Sequence, residues 1–261
     1  MAQTLTATPD PSYSPPRIRL DFTDTNTTPV TSVTINRQGT SGRVYPVRTS
    51  DGNPLPTSGG AATVYDYEPP YGQDLIYSTT ITGGPTATAN LNVSRPWLVH
   101  PGIPSRSMTF LQMAGSVQSE TWDIDQGVFK VLTRSTLVVA TSGVRFAASS
   151  TLLLGVSNPT DLAGLKQLLS DGAPLLLNVP ATLGWGIDTA YIAVGPVQNA
   201  RPSQLLVEAW RTLSLPYQVV ARPAGGTRGG LTWDGVDALY GPWTDLAATG
   251  MTWAQLAAQS A

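Results

Sequence analysis

Apolar and polar residues alternate with a period of two along the first third of the chain. Ile18, Leu20 and Phe22 alternate with Arg17, Arg19 and Asp21. Val33 and Ile35 alternate with Thr34 and Asn36, and Val44-Tyr45 with Val47 makes a third short segment. This is the signature of half-buried β-strands. Asp51-Gly52-Asn53-Pro54 reads as a turn. Strand patterns resume over Ala62 to Tyr67, Leu75 to Ile81 and Thr86 to Val93. The corner Glu68-Pro69-Pro70-Tyr71-Gly72 separates the first two. Tyr65 and Tyr67 fall on one face of their strand, Asp66 and Glu68 on the other. Short strands with a turn every roughly 8 to 12 residues predict an immunoglobulin-like β-sandwich over residues 17–95. A tyrosine near the sharp corner fits, because its hydroxyl can satisfy backbone groups there.

Ser94-Arg95-Pro96 marks a boundary, and residues 96–224 read as a second β unit with one helix. Trp97-Leu98-Val99 and Ser107 to Met113 open it. Val117 to Ile124 is expected to pair with Val128 to Leu132 across a turn at Asp125-Gln126-Gly127. Leu137 to Ala140 and Val144 to Phe146 lead to the strand Thr151 to Leu154. Asn158 is placed as an N-cap, Pro159 as the first helical residue and Asp161 near the positive end of the dipole. Leu162, Leu165, Leu168 and Leu169 recur at helical spacing until Asp171-Gly172. Leu175-Leu176-Leu177, a turn over Leu183 to Gly186 and the strand Ala190 to Val194 follow. A loop through Gly195, Pro196 and Asn199 then leads to strands over Gln204 to Trp210 and Leu213 to Val220. Strand, helix and meander predict a half-open barrel with a helix across one mouth.

The ends differ from these two units. Residues 1–16, rich in Pro, Ser and Thr, read as an extended arm. Residues 225–261 read as a glycine hinge followed by a short helical tail. In that tail Trp233, Trp243 and Trp253 are each followed three residues later by Val236, Leu246 or Leu256. Apolar knobs on a segment too short to make its own core call for a partner surface. These six residues are therefore the candidate interaction site: the surface they need is the chain's own barrel or a neighbouring subunit or protein, and docking on a neighbour is the expectation.

Composition narrows the function. The chain has 261 residues and 27.5 kDa, with 41% apolar but only 12% charged residues, and 25 Gly and 22 Pro supply its turns. That balance suits a mainly β protein. A net charge of −2 removes the electrostatic case for nucleic-acid binding. The absence of cysteine excludes disulfides, thiolate nucleophiles and Cys-based zinc sites. No apolar run reaches the length of a membrane span. The first residues have neither the basic nor the apolar region of a signal peptide, so the expected site of synthesis is the cytoplasm.

Candidate chemistry is sparse. His100, the one histidine, lacks any nucleophile signature around it and reads as structural. Asp123-Ile124-Asp125-Gln126-Gly127 resembles a calcium loop, but Arg134 stands where a bidentate glutamate is needed. Asp66 and Glu68 stand about 7 Å apart on an extended strand, a spacing a glycosidase could use. Alternation on an exposed strand face explains them without chemistry and is the expected reading. Trp97, Trp185, Trp210 and Tyr191 could stack on sugars, although aromatics in β domains usually fill the core. Asn26-Thr27-Thr28 and Asn92-Val93-Ser94 match glycosylation sequons by chance in a chain without a signal peptide. No catalytic residue, cofactor or metal is expected.

Taken together, Asp66 to Gly72, the pattern Leu162 to Leu177, the strand Tyr191 to Val194 and the stretch Leu213 to Pro223 resemble minor tail proteins of long-tailed phages of actinobacteria. The terminal Thr232-Trp233 and Thr252-Trp253 repeats look like the tail these proteins carry. The resemblance implies that the middle unit is a split barrel like that of distal-tail and hub proteins. It further implies a structural role in the virion at the tail tip or baseplate. The implied partners are further copies of the chain, in a trimeric or hexameric ring, and other tail proteins. A host-surface carbohydrate or protein is the alternative partner. The sandwich ahead of the barrel departs from the ring-forming distal tail protein itself.

Overall fold

The computed structural model describes residues 3–49, 54–112, 121–122, 124–129, 138–145, 148–184, 189–200 and 210–225. The strands are β1 (Gln3–Asp10), β2 (Arg17–Asp24), β3 (Ser32–Val33), β4 (Ile35–Gln38), β5 (Val44–Pro46), β6 (Leu55–Pro56), β7 (Ala61–Asp66), β8 (Asp74–Thr79) and β9 (Thr86–Asn90) in the first unit. In the second they are β10 (Trp97–Val99), β11 (Met108–Thr109), β12 (Leu111–Gln112), β13 (Ile124–Phe129), β14 (Val138–Arg145), β15 (Ser149–Val156), β16 (Leu175–Asn178), β17 (Ala190–Val194), β18 (Gln198–Ala200) and β19 (Arg211–Val220). The helix α1 (Pro159–Leu168) lies between β15 and β16. The fold is mainly β, as the alternating pattern predicts.

In the first unit a sheet ordered β1-β2-β7 faces a sheet ordered β5-β4-β8-β9. Ile18, Leu20 and Phe22 of β2 pack with Leu5, Val64, Ile35, Leu75 and Tyr77 between the sheets. The outer positions Arg17, Arg19 and Asp21 are the alternate residues, so period two sets the buried face directly.

The arm expected over residues 1–16 is corrected by the structure. Residues 3–10 form β1, antiparallel to β2 along its whole length from Gln3↔Asp24 to Asp10↔Arg17. Thr4, Thr6 and Thr8 alternate with Leu5 and Ala7, which face the core. The period is present in the sequence but carried by small side chains, and Pro9 is tolerated because β1 is an edge strand.

In the second unit the sheet is ordered β11-β10-β16-β17-β19-β15-β12, with β18 also on β19. It curls into a half-barrel. Leu98, Leu152, Leu154, Leu175, Leu177, Ile192, Leu213 and Leu215 fill the interior, and α1 adds Leu165 and Leu168. The helix starts as expected: the Asn158 side chain accepts from the Asp161 N–H at 2.7 Å. The two edge strands of the curled sheet, β11 and β12, are separated in sequence by Phe110 alone. One short stretch of chain therefore touches both edges of the opening.

Two further expectations change. Asp125-Gln126-Gly127 is not a hairpin turn; it lies inside β13, whose partner is β14, with a register irregularity between Ile124 and Gln126. Gly127 pairs with Ala140 in this ladder, because glycine, though unfavourable in a strand, does not end one. The loop expected through Asn199 contains β18, which pairs Asn199 with Leu213. The proposed strand over 204–210 falls, but for Trp210, outside the described residues, as do the turn residues 51–53.

The run Leu175-Leu176-Leu177 is apolar at successive positions because both faces of β16 are covered. Leu175 and Leu177 face the barrel interior, while Leu176, with Trp97 and Val99 of β10, belongs to the sandwich core. The two units thus share a hydrophobic boundary layer, the situation in which strands lose their polar alternation.

Candidate functional site

The alternation that buries Val64 also turns Asp66 and Glu68 inward. Asp66 stands opposite Ile18 on the core face of the sheet. Both carboxylates are 2% exposed, so the exposed strand face expected for them is incorrect. An isolated buried carboxylate is costly, and each is balanced by arginine.

Arg37, inward on β4, reaches across the sandwich and places Nη1 2.8 Å from both Asp66 oxygens. The Tyr77 hydroxyl donates to Asp66 at 2.9 Å and the Glu68 N–H donates at 3.0 Å. Burial works against the Arg37 charge, but Asp66 first, then Tyr77 and Glu68, holds its pKa above the usual arginine value. Burial, with the negative charge of Asp66, pushes the Tyr77 hydroxyl well up, so it stays a donor.

Glu68 is held from two sides. Arg48 Nε donates to one oxygen at 2.9 Å, and Arg222 donates to the other through Nη2 at 2.6 Å and Nε at 3.1 Å. Arg222 follows β19, so this contact joins the sandwich to the end of the half-barrel. The same two arginines also bind backbone: Arg222 donates to the Pro46 carbonyl at 2.9 Å, and Arg48 to the carbonyls of Pro223, at 2.9 Å, and Gly225. Tyr191 of β17 lies against the Glu68 charge, and burial first, then that charge, raises its hydroxyl pKa.

A neutral clamp completes the junction. Asn178, fully buried at the end of β16, donates to the Pro69 carbonyl at 2.8 Å and accepts from the Tyr71 N–H at 3.3 Å. Its oxygen also accepts from Thr189 at 3.1 Å. The corner 66–72 is thereby fixed to the barrel by backbone and side chain alike. The Tyr71 hydroxyl does not serve the corner as expected: it is buried without a hydrogen-bond partner among the described residues. The Tyr67 hydroxyl accepts from Arg17 instead.

His100 is buried at the end of β10, as the sequence reading placed it. Its Nδ1 accepts the N–H groups of Gly102 and Ile103, at 3.1 and 2.9 Å, and Nε2 faces Asp171 at 2.9 Å. Two donors on Nδ1 require the proton on Nε2. Both ring nitrogens are thus committed to holding a turn against the end of α1. Burial tends to raise the Asp171 pKa, but the Ala173 N–H, His100 and Arg106 outweigh it and hold the carboxyl below its ordinary value.

The remaining candidates are scattered. Trp97 is in the boundary layer, Tyr191 is at the junction, and Trp210 is half-buried before β19, while Trp185 lies outside the described residues. Among the described residues, Trp97, Tyr191 and Trp210 make no ring contact with one another. Asp123 and Arg134 also lie outside the described residues, as do Trp233, Val236, Trp243, Leu246, Trp253 and Leu256. Among the described residues no group of three metal-ligating side chains comes together, and no helix is long and apolar enough to cross a membrane.

One aromatic cluster was not foreseen. The Arg17 guanidinium lies 3.3 Å from the Tyr13 ring centre and 4.0 Å from that of Tyr65, on the outer face of the β1-β2-β7 sheet. Sequence reading missed Arg37, Arg48, Arg222 and Asn178 because their partners are far along the chain. One local signal was available: Asp66 shares the parity of the apolar Val64. With its carboxylates neutralised and sealed, the junction holds two units in one geometry; as it stands it offers no free acid or base. No known family profile matches the chain, and no curated protein shows significant sequence similarity to it.

Proposed function

We propose that the chain is a structural component of a phage tail tip or baseplate, a minor tail protein that assembles through subunit interfaces and its C-terminal arm. One observation carries the reading. The stretches that resemble minor tail proteins converge on one junction. Glu68 and Tyr71 come from the first stretch, Leu176 from the second, Tyr191 from the third, and Arg222 with Pro223 from the last. A sandwich and a half-barrel joined by buried ion pairs make a stiff subunit, which suits a part that keeps its shape within a large assembly. Scarce charge and abundant Ser and Thr suit extensive, static interfaces. The test is the mass of the purified chain by light scattering over a range of concentrations. A trimer or hexamer supports a ring-forming role. A persistent monomer that also fails to enter particles would remove the proposal.

The alternative, a host-surface binding module, is favoured by the Tyr13–Arg17–Tyr65 cluster. Tyr13 is among the most exposed large apolar side chains of the described residues. Fluorescently labelled full-length chain should then stain host cells, and Tyr13→Ala should abolish the staining.

A further inference from the structure

The outer face of the β1-β2-β7 sheet carries an aromatic cluster at one end and a polar surface along the rest. Alternation turns Thr4, Thr6 and Thr8 of β1, Arg19 and Thr23 of β2 and Thr63 of β7 outward. At the end nearest the β1–β2 turn, Asp10 pairs with Arg17, and Tyr67 follows Asp66, the partner of Ile18. Arg17 organises this end. Its guanidinium lies against the rings of Tyr13 and Tyr65, and its Nη1 donates to the Tyr67 hydroxyl at 3.1 Å. Tyr67 in turn stands 6.4 Å from Tyr13 and 6.3 Å from Tyr65, centre to centre. The cation covers one face of the Tyr13 ring, and the 43% exposure of that residue leaves the opposite face to solvent. A ring fixed before a ligand arrives loses little freedom on binding.

Charge and apolar area select the ligand. Arg17 is paired with Asp10 at 3.2 Å and Arg19 with Asp21 at 2.9 Å, so these charges cancel on the face. A cancelled field does not draw in a phosphate or an acidic polymer. Apolar area here is confined to the tyrosine rings and Ala61, while the exposed Val44 and Ile76 belong to the opposite sheet. That is too little for the apolar centre of a protein interface. The polar groups beside Tyr13 have further capacity. Asp10 accepts from Ser12 at 3.0 Å and from Arg17, and a carboxylate offers about four acceptor positions. A guanidinium has five donors, of which the bonds to Asp10 and Tyr67 engage two.

We infer that this cluster is a binding site for a neutral saccharide with adjacent free hydroxyls. A pyranose ring is apolar on the face that its axial C–H groups share and hydroxylated around its edge. The open face of Tyr13 meets the first. Asp10 and Arg17, an acceptor beside a donor, meet two neighbouring hydroxyls at the edge. The outward threonines of β1 and β2 continue the same polar face away from the cluster, so it accommodates a polymer rather than a single sugar. This rests on the host-surface reading above and names its ligand class, a neutral cell-surface glycan.

The test is electrophoresis of the full-length chain through native gels containing dextran, mannan or galactan, with polygalacturonate and polyphosphate as charged comparisons. The expected result is retardation in a neutral gel, lost when that polysaccharide is first oxidised with periodate, which cleaves vicinal diols. Tyr13→Ala should weaken the binding about tenfold or more, and Tyr13→Phe, which keeps the ring, less than about threefold. Asp10→Asn should weaken it several-fold, and Val44→Ala on the opposite sheet should leave it unchanged. Circular dichroism of each variant checks the fold. Retardation confined to the charged gels, or undiminished in folded Tyr13→Ala and Asp10→Asn, overturns the site, as does no retardation in any gel. If the labelled chain nevertheless stains host cells, and stains them equally after periodate treatment, the host-surface reading stands and only this inference falls.

Discussion

Glu68 is one carboxylate serving two guanidinium groups, 20 and 154 residues away in sequence. Its substitution tests what a buried ion pair contributes here. Glu68→Gln keeps the shape but leaves Arg48 and Arg222 without a countercharge, and breaking such a pair costs roughly 3–5 kcal/mol. Urea unfolding should show a loss of that size; a loss within error would mean the arginines are satisfied by backbone carbonyls alone. A second residue-scale prediction concerns pH. Asp24 is held below its ordinary pKa chiefly by the Val30 N–H, which outweighs burial, with help from Asn26 and Gln3; Asp171 is also held low. A depressed folded pKa means the unfolded chain binds protons first as pH falls. Both groups therefore contribute stability fully above the unfolded value near 3.8, and lose it as pH drops through their lower folded values. Denaturation followed from pH 6 to pH 2 should show this decline, and it should be shallower in Asp24→Asn and Asp171→Asn.

At the scale of elements, α1 is the test of local against tertiary control. Its start is specified locally: Asn158 caps it and Pro159 opens it, and Asn158→Ala should cost about 1 kcal/mol in the same unfolding measurement. Its position is not local, since Leu165 and Leu168 are buried only because the curled sheet presents an apolar interior. β1 shows the reverse balance. Threonines alternating with Leu5 and Ala7 are a weak strand signal, and pairing with β2 along eight residues makes the element. Gly60 marks a site where backbone decides. Its φ of +81° is in the left-handed region, and a Cβ there would stand 2.4 Å from the Asp24 carbonyl oxygen.

At the scale of the molecule, the two units are interdependent. Trp97, Val99 and Leu176 complete the sandwich core from the barrel side, and Asn178 and Arg222 fix the corner that leaves the sandwich. A fragment ending at residue 95 would expose that boundary layer and leave Glu68 facing only Arg48. The expected outcome is a fragment that lacks cooperative thermal unfolding by circular dichroism and aggregates. A fragment melting cooperatively at the temperature of the whole chain would show the sandwich to be self-sufficient.

The sequence by itself determined the class and much of the layout. Period-two alternation placed β2, β4, β7 and β8, and helical spacing with an Asn-Pro start placed α1, because these signals come from neighbouring side chains facing one environment. The parity that put Asp66 and Glu68 on one face was legible too; which face was the core was not. That choice depends on arginines far away in sequence, and such pairings leave no local trace. The strand role of residues 124–129, the capture of 3–10 by β2 and the meeting of both sheet edges around Phe110 were likewise decided only in the tertiary structure. In each case the chain segment is ambiguous alone, and the partner that satisfies its backbone or fills its core lies elsewhere in the sequence.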